Sequence, residues 1–254
     1  MAVYLSELFT SFQGEGLLVG RPQLFLRLAG CNLRCGYCDT GYAQQLTLRG
    51  RVEKYPFSGD FGYEKNPVTE ERLLDAVVGF LGAWKTRWVH SLAVTGGEPL
   101  MQATELAGLL GRVHEEITPA LPVLLETNGT LPDELRKLNG LIDYVAMDVK
   151  LPSVAGDGLS AQTQQDFLEQ ALSMKAQVFL KLVISDNIRL GEFEEYLVAL
   201  ARASTDRAVP LFLQPMTGPE PLIKDTLLRT FALAREYFDD VRVLGQTHKT
   251  LGLL

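Results

Sequence analysis

The chain contains three cysteines, Cys31, Cys35 and Cys38, and all of them lie on one segment of eight residues. An odd number of cysteines so closely spaced is unsuited to a disulfide framework. Three thiolates on a short loop can each bind one iron of a cubane iron–sulfur cluster, which leaves the fourth iron without a protein ligand. A cofactor or substrate needs such an open position for direct contact with the metal. The spacing C-x3-C-x2-C therefore predicts a reactive iron–sulfur cluster.

A zinc site is the alternative interpretation of the same cysteines. Zinc in proteins takes four ligands, often three cysteines and one histidine. The chain has three histidines, His90, His114 and His248, which are distant from the cysteines in sequence but can approach them on folding. The cysteines alone therefore leave zinc open, and with it a non-catalytic, metal-stabilised binding module.

Further polar motifs each follow a short apolar run: TGGEP at 95–99, ETNGT at 126–130, DVKLPS at 148–153 and QPM at 214–216. Glycine allows the backbone to approach a ligand because it has no Cβ, and the carboxylate of Glu98 can accept hydrogen bonds from an ammonium group. Each motif also has an ordinary interpretation as a turn, a salt bridge or a helix cap.

The apolar runs alternate with segments of helical periodicity. We predict strands at 23–29, 91–95, 122–127, 142–149, 177–184 and 210–215, and helices at 73–84, 106–117, 133–139, 161–175, 193–200 and 227–238. This alternation predicts parallel strands joined by right-handed crossovers. The expected fold is α/β, a partial (β/α)6-type barrel whose reactive groups gather at the C-terminal ends of the strands.

Composition and charge narrow the functional classes. The net charge of −7 argues against sequence-blind binding to nucleic acid or anionic lipid. The sequence has no apolar stretch of the roughly 20 residues that a membrane helix needs, and the N-terminus does not resemble a secretory signal. We therefore expect a cytoplasmic protein. Residues 41–67 lack a clear period and are interpreted as an insertion within a single domain spanning 1–254.

The cysteine motif, with an aromatic residue before its last cysteine, resembles that of the radical S-adenosylmethionine (SAM) superfamily. The resemblance implies that a [4Fe-4S] cluster held by the three cysteines binds SAM at its open iron. An electron from the cluster then cleaves SAM to a 5′-deoxyadenosyl radical, which takes a hydrogen from the substrate. The SAM-binding residues that this resemblance implies are Tyr37, Gly97, Glu98, Thr127, Asn128, Lys150, Ser153 and Gln214.

The segment FTSFQGEGLLVGRPQLFLRLAGC, which leads into the first cysteine, is similar to the 7-carboxy-7-deazaguanine synthases, and the similarity extends to QTHK at 246–249. Members of this family contract the ring of 6-carboxy-5,6,7,8-tetrahydropterin with loss of ammonia, on the route to queuosine and other deazapurines, and use Mg2+. The similarity implies an N-terminal substrate-binding segment at 4–23. The implied substrate-binding residues are Phe12, Gln13, Gly14, Glu15, Gly16, Arg27, Thr95 and His248.

The residue types suit a carboxylated pterin. Gln13 and Glu15 can form paired hydrogen bonds with the donor–acceptor edge of the ring. Arg27 shares a strand face with Phe25 and, if buried, needs an anionic partner. The substrate carboxylate is one such partner, and an internal salt bridge with a strand-end carboxylate is the alternative.

Asp39 and Thr40 follow the last cysteine. Mg2+ takes few protein ligands and retains positions for substrate oxygens and water, and the resemblance points to Thr40 as its ligand. Asp39 and His248 are the candidate catalytic residues, with His248 as an acid or base for ammonia loss. Asp39 and Thr40 as a simple turn cap are the alternative.

The similar families also imply partners. We expect a homodimer, a flavodoxin or ferredoxin-type electron donor, and no direct contact with nucleic acid or membrane. A glycyl-radical-enzyme activating enzyme has the same cysteine spacing but acts on a protein glycine, so it remains an alternative function. The FQGEG segment and Arg27 favour a small carboxylated substrate instead.

Overall fold

The computed structural model of the chain describes residues 1–84, 88–117, 121–156, 160–204, 208–218 and 222–253. The strands are β1 (Ala2–Val3), β2 (Leu5–Phe12), β3 (Pro22–Leu28), β4 (Arg49–Glu53), β5 (Phe61–Lys65), β6 (Val68–Thr69), β7 (Ser91–Gly96), β8 (Val123–Thr127), β9 (Tyr144–Val149), β10 (Gln177–Ile184), β11 (Leu211–Pro215) and β12 (Val241–Val243). The α-helices are α1 (Glu70–Trp84), α2 (Ala103–Glu116), α3 (Pro132–Leu135), α4 (Pro152–Ala155), α5 (Ala161–Ser173), α6 (Leu190–Ala203), α7 (Lys224–Ala234) and α8 (Thr247–Leu251). Short 3-10 helices include Gly16–Leu18, Gly41–Ala43, Pro99–Gln102 and Arg136–Leu138.

Ten strands form one sheet in the order β12-β11-β10-β9-β8-β7-β3-β2-β4-β5. Within this sheet, β3 is followed by β7, β8, β9, β10, β11 and β12 in chain order, and each neighbouring pair in this series is parallel. The six strands predicted from the sequence are the first six of this series. The predicted partial (β/α)6-type barrel is confirmed, and β12 adds a short seventh parallel strand at one edge.

The longer helices cover the outer face of the sheet because each presents one apolar stripe, whereas α8 has no buried residue. On α2 the residues Leu106, Leu109, Leu110 and Val113 are all buried, at the spacing that places them on one helix face. They belong to the large apolar cluster formed between the sheet and the helices. Within the described residues, no helix is both long and apolar enough to cross a bilayer.

The strands also bury side chains on their inner face, where a second, smaller core forms. Its members are Phe9, Leu18, Phe25, Ala93, Leu124, Ala146, Phe179 and Phe212. Since side chains alternate between the faces of a strand, the neighbours Leu180 and Leu182 of Phe179 belong to the outer cluster. The inner face is therefore partly apolar, and its remaining positions are free to carry polar groups.

The N-terminal segment and residues 41–67, interpreted from the sequence as an insertion, extend the sheet beyond the barrel. Strand β2 pairs antiparallel with β3, β4 pairs parallel with β2, and β5 pairs antiparallel with β4. The sequence did not predict β2, because buried polar residues such as Glu7 and Thr10 interrupt its apolar pattern. The insertion thus contributes two strands at one edge of the sheet.

Asn66 joins the insertion to β2 through its side-chain amide. The amide oxygen accepts from the Leu5 backbone N–H at 2.9 Å. The amide nitrogen donates to the Leu5 carbonyl at 2.7 Å and to the Thr47 carbonyl at 2.9 Å. The Asn66 side chain therefore forms the hydrogen bonds with the Leu5 backbone that a neighbouring strand would otherwise form.

We expect Asn66→Ala to lower the free energy of unfolding by about 1–3 kcal/mol, because it leaves buried N–H and C=O groups of Leu5 without a partner. Urea denaturation of the purified protein measures this change. The exposed Asn139 supplies the matched control, and Asn139→Ala should shift the unfolding midpoint very little. Equal effects of the two substitutions would contradict the bridging role of Asn66.

Candidate active site

One cavity of about 220 Å³ opens at the C-terminal ends of the parallel strands and receives the cysteine loop. This is where ligands bind in parallel α/β barrels. Most of the residues selected from the sequence line it: Gln13, Glu15, Gly16, Arg27, Cys31, Cys35, Tyr37, Cys38, Asp39, Thr40, Thr95, Gly97, Thr127, Asn128, Lys150, Gln214 and His248. The motifs are dispersed along the sequence but converge on one volume.

The cysteine loop follows β3 and is held by close backbone packing. A Cβ on Gly97 would lie 2.3 Å from the Gly30 carbonyl oxygen and 2.7 Å from that of Ala43. The Glu98 N–H donates to the Gly30 oxygen at 2.8 Å, and the Cys31 N–H donates to the Gln44 oxygen at 3.1 Å. Gly97 is therefore needed for the approach of the loop itself.

The three thiols fit an iron–sulfur cluster better than zinc. Tetrahedral zinc with bonds of 2.3 Å holds its sulfurs about 3.8 Å apart. Among the described residues, Glu15, Asp39 and His248 are the group whose ligand atoms all lie within 4.8 Å of one another, and the cysteines form no such group. A cubane spreads its three thiolates over three irons, which suits the wider arrangement.

The cysteine sulfurs lie in a partly desolvated position. Burial raises the pKa of the Cys31 thiol and of the Cys35 thiol above the ordinary value. Bound iron stabilises thiolates and removes their protons. Binding of a metal cluster therefore has to displace the protons that burial favours on these thiols.

Glu98 lies beneath the cavity as a fully buried carboxylate. It accepts hydrogen bonds from the Leu100 N–H at 3.0 Å, the Asn128 N–H at 2.8 Å and the Thr127 hydroxyl at 2.8 Å. Burial nonetheless raises the pKa of Glu98 to about 7. Glu98 ties the loop after β7 to the loop after β8, and its charge changes near neutral pH.

Asn128 connects the loop after β8 to the cysteine loop. Its side-chain amide donates to the Asn32 oxygen at 2.9 Å and lies 4.0 Å from the Cys31 sulfur. The Thr130 hydroxyl donates to the Asn128 side-chain oxygen at 2.7 Å. The amide is thus oriented beside the first cysteine.

Lys150, at the end of β9, is buried in an ion pair. Its Nζ lies 2.9 Å from Oδ2 of Asp148 and donates to the Tyr37 hydroxyl at 3.1 Å. The other carboxylate oxygen of Asp148, Oδ1, is buried and has no hydrogen-bond partner among the described residues. The pair thus supplies a cation beside the cysteine loop and an unsatisfied acceptor nearby.

The FQGEG segment crosses the opposite side of the cavity. The Gln13 amide donates to Gln23 at 2.9 Å and to Glu126 at 2.7 Å, and its oxygen accepts from the Glu15 N–H at 3.0 Å. Lys181, on β10, forms an ion pair with Glu15. Gln13 therefore braces the segment, and Glu15 presents a charged group.

Arg27 lines the cavity but also forms the internal salt bridge that the sequence left open. Its Nε donates to Glu7 at 2.7 Å, and the partner is a strand residue of β2, not a strand-end carboxylate. Glu7 also accepts from the Tyr42 hydroxyl at 2.7 Å and pairs with Arg51 at 2.5 Å. The insertion thus orients Arg27 through Glu7.

The C-terminal helix α8 closes one side of the cavity. The Thr247 N–H donates to the Gly14 carbonyl at 3.0 Å, and a Cβ on Gly14 would lie 1.9 Å from the His248 ring. Lys249 pairs with Asp39 at 2.9 Å. Burial opposes ionisation of Asp39, but hydrogen bonds from Lys249 and Gln246 outweigh it and lower the pKa of Asp39 to about 2.

Four of the selected residues do not line the cavity. Phe12 is partly exposed and packs on Phe57 at a ring distance of 5.5 Å. Glu98 lies beneath the cavity, and Gly14 lies behind His248. The Ser153 hydroxyl donates to Glu192 of α6 at 2.6 Å, so the structure places this hydroxyl in a helix contact.

The sequence reasoning missed cavity residues that the structure brings in: Glu126, Lys181 and Gln246. Lys181 did carry a signal, because it is the charged residue within the apolar run QVFLKLVI of β10. A lysine within a strand covered on both faces needs a polar space to enter. Glu126 and Gln246 begin the ETNGT and QTHK motifs, but neither residue was given a role from the sequence.

Comparison with known proteins places the chain in a family. The model of the radical SAM superfamily matches residues 26–169. A 7-carboxy-7-deazaguanine synthase of Geobacter sulfurreducens is 38% identical over 98% of this chain and 97% of its own length. A second, of Methanopyrus kandleri, is 35% identical over 98% of this chain and 93% of its own length. The chain belongs to the 7-carboxy-7-deazaguanine synthase family.

The fold agrees with this membership. QueE from Escherichia coli has a TM-score of 0.57 at 23% identity, with 97% of this chain and 94% of that chain covered. A radical SAM methyltransferase from Sphaerobacter thermophilus has a TM-score of 0.55 at 14% identity, with coverages of 94% and 77%. As a member of this radical SAM family, the chain is a lyase that uses a [4Fe-4S] cluster and SAM.

The raised pKa of Glu98 makes the stability of the protein depend on pH. The folded protein binds a proton there up to about pH 7, whereas the ordinary value is 4.5. Because the folded state holds more protons between these values, ionisation of Glu98 lowers the free energy of unfolding as the pH rises.

We expect the wild type to lose about 3 kcal/mol of stability relative to Glu98→Gln between pH 4.5 and 7. Urea denaturation of metal-free protein at several pH values measures this difference. Glu169→Gln, at an exposed position of α5, should show no such trend. A pH-independent difference between wild type and Glu98→Gln would contradict the shifted pKa.

Proposed function

We propose that the chain converts 6-carboxy-5,6,7,8-tetrahydropterin to 7-carboxy-7-deazaguanine with loss of ammonia, in the biosynthesis of queuosine or another deazapurine. The observation that carries this proposal is the convergence of the three cysteines, Glu15 and Arg27 on one cavity. A metal-binding loop on one side thus faces a carboxylate and a guanidinium on the other.

The residues of the cysteine side suit the cofactors of the family. Cys31, Cys35 and Cys38 would hold the cluster. When bound, the cluster and SAM together supply the adenosyl radical that starts the reaction. Lys150 offers a cation for the SAM carboxylate, and Gln214 lines the same cavity.

Glu98 and the loop that it supports form the rest of the proposed SAM site. Its carboxylate holds Thr127 and Asn128 in place, and when ionised it attracts the ammonium group of SAM. The SAM roles of Tyr37 and Ser153 remain predictions; Tyr37 already contacts Lys150, and Ser153 contacts Glu192.

The opposite side of the cavity suits a carboxylated pterin. Glu15 accepts a hydrogen bond from an N–H group of the ring edge, while Gln13 holds the segment in place. Arg27 donates its Nε–H to Glu7, which leaves its terminal nitrogens for a bidentate contact with the substrate carboxylate. Thr95 and Gly16 line the same cavity and complete the substrate side.

Asp39, Thr40 and His248 lie where the two sides meet. The hydroxyl and carboxylate are hard oxygen ligands, and Mg2+ needs only one or two from the protein when substrate and water supply the rest. We assign the Mg2+ contact to Thr40 and support of its ligands to Asp39, which is ionised at neutral pH. His248 is placed to exchange a proton as ammonia leaves.

The remaining features of the proposal concern the whole protein. We propose a single domain in which 4–23 carries the substrate-binding segment and 41–67 orients Arg27 through Tyr42 and Arg51. We also propose a cytoplasmic homodimer that takes electrons from a flavodoxin or ferredoxin-type donor.

The test of the proposed function is turnover by anaerobically reconstituted enzyme. Protein given iron, sulfide, SAM, Mg2+ and a reductant should convert the carboxypterin to the deazaguanine, detected by mass spectrometry. Cys35→Ser should lose the cluster absorbance and at least about 1,000-fold of the activity, because a missing ligand disrupts the metal site. A loaded wild-type enzyme that leaves the pterin unchanged, or that instead activates a glycyl-radical protein, would refute the proposal.

We expect Arg27→Met to weaken binding of the carboxylated pterin by about 10- to 100-fold, since a charge-assisted bidentate contact is worth roughly 1.5–3 kcal/mol. Calorimetry is done with the carboxylated ligand and with the same tetrahydropterin lacking the carboxyl group. The difference between the two losses of affinity is the part that depends on the carboxylate. The uncarboxylated ligand serves as the control, and its affinity should change little. Equal losses of affinity for both ligands would mean that Arg27 pairs only with Glu7 and does not contact the substrate carboxylate.

A further inference from the structure

Lys181 is a buried cation in the middle of β10 that the proposed reaction has not used. Its neighbours Leu180 and Leu182 pack in the outer core, so the lysine lies on the inner face with Phe179. Its side chain is only 16% exposed, and it reaches the cavity. Burial of an ammonium group costs free energy unless anions surround it. The groups that pair with Lys181 therefore indicate its role.

Two carboxylates from different elements share this ammonium group. Glu15, on the FQGEG segment, forms a hydrogen bond and an ion pair with Lys181. Asp148, on β9, places its Oδ2 atom 3.1 Å from the lysine Nζ. The cation is thus fixed by Asp148 on the barrel wall, and it fixes Glu15 in turn.

The other oxygen of Glu15 is held by two amides. Gln214 donates to Oε1 at 3.1 Å and Gln246 donates to it at 2.6 Å. Together with the hydrogen bond from Lys181, these contacts use three of the roughly four acceptor sites of a carboxylate. The orientation of the carboxylate is therefore defined, and one acceptor site is left for an N–H group of a ligand. Burial alone would raise the pKa of Glu15, but Lys181 outweighs it, and the pKa lies below the ordinary value.

We propose that Lys181 is a positioning residue for the substrate: it holds the Glu15 carboxylate charged and oriented so that its remaining acceptor site takes a hydrogen bond from the ring edge. The inference rests on the proposed function, because it assigns Glu15 to the pterin. An ammonium group anchored to the barrel wall gives the FQGEG segment a rigid reference point. Without the Lys181 ammonium group, Glu15 would have to turn toward water or take up a proton. In either case its hydrogen bond with a ring N–H would be weaker.

The first test separates binding of the substrate from binding of SAM. In the reconstituted enzyme, Lys181→Met should raise KM for the carboxypterin at least about tenfold, the size of one lost charge-assisted hydrogen bond. KM for SAM should stay within about threefold. Lys181→Arg, which keeps the charge, should lose less than Lys181→Met. A general disturbance of the fold would raise both KM values together and would overturn the proposal.

The second test is a double-mutant cycle with Glu15→Gln. If Lys181 acts through Glu15, Lys181→Met should raise the pterin KM less than about threefold in the Glu15→Gln background, because the two effects are not additive for contacting residues. The double variant also removes one buried charge of each sign, so it should fold where Lys181→Met alone is unstable. Full additivity of the two effects would overturn the proposal.

A binding measurement keeps the two proposals distinguishable. Calorimetry of carboxypterin binding to the cluster-loaded protein should give the same order of affinities as the KM values. Lys175→Met, at an exposed lysine before β10, is the matched control and should bind like the wild type. A wild type that does not bind the pterin refutes the proposed function and this role with it. A wild type that binds and turns over, with Lys181→Met equal to it, refutes this role alone.

Discussion

The backbone contact between Gly97 and the cysteine loop is the constraint on which the site depends. The space beside the Gly97 Cα is filled by the carbonyls of Gly30 and Ala43, so the loop rests directly on the end of β7. This contact fixes the cysteines relative to the barrel and places the buried Glu98 next to them. A loop held by side chains alone would permit small shifts, and a cluster with an open iron requires a fixed distance to its partner molecule.

Charge compensation is the second constraint on the cavity. Each of four carboxylates, Glu7, Glu15, Asp39 and Asp148, contacts a lysine or arginine. Such pairs contribute little net stability when buried, because desolvation offsets their attraction. Their value here is orientation: the carboxylates and cations are held in place before any ligand arrives, which is the condition for precise binding.

Much of the fold followed from the sequence. The six predicted strands and the helices between them were confirmed, since apolar periodicity reports burial against a layer of helices. Strand β2 and the β4–β5 hairpin were not predicted. Their polar residues, such as Glu7 and Glu53, are buried only because they meet partners far away in the chain, and a local pattern contains no information about those partners.

The site was predictable to a similar degree. The cysteine spacing and the GGEP motif identified residues that converge on the cavity, because motifs after parallel strands gather at one end of the barrel. The FQGEG motif also reaches the cavity, but it follows β2, which is antiparallel to β3, so this rule does not explain its position. The brace formed by Gln13, the ion pair of Glu15 with Lys181 and the contacts of Gln246 were not foreseen. They depend on which strands are neighbours and on side-chain length, and these are properties of the assembled fold.

The contact of Gly14 with Thr247 joins residues 233 positions apart. Closing a longer loop costs more conformational entropy, although this cost grows only slowly with loop length. The contacts that shape the cysteine loop, from Gly30, Ala43 and Gly97, span much shorter separations. The metal-binding half of the cavity is therefore built from contacts of shorter range in the chain than those that attach the C-terminal helix.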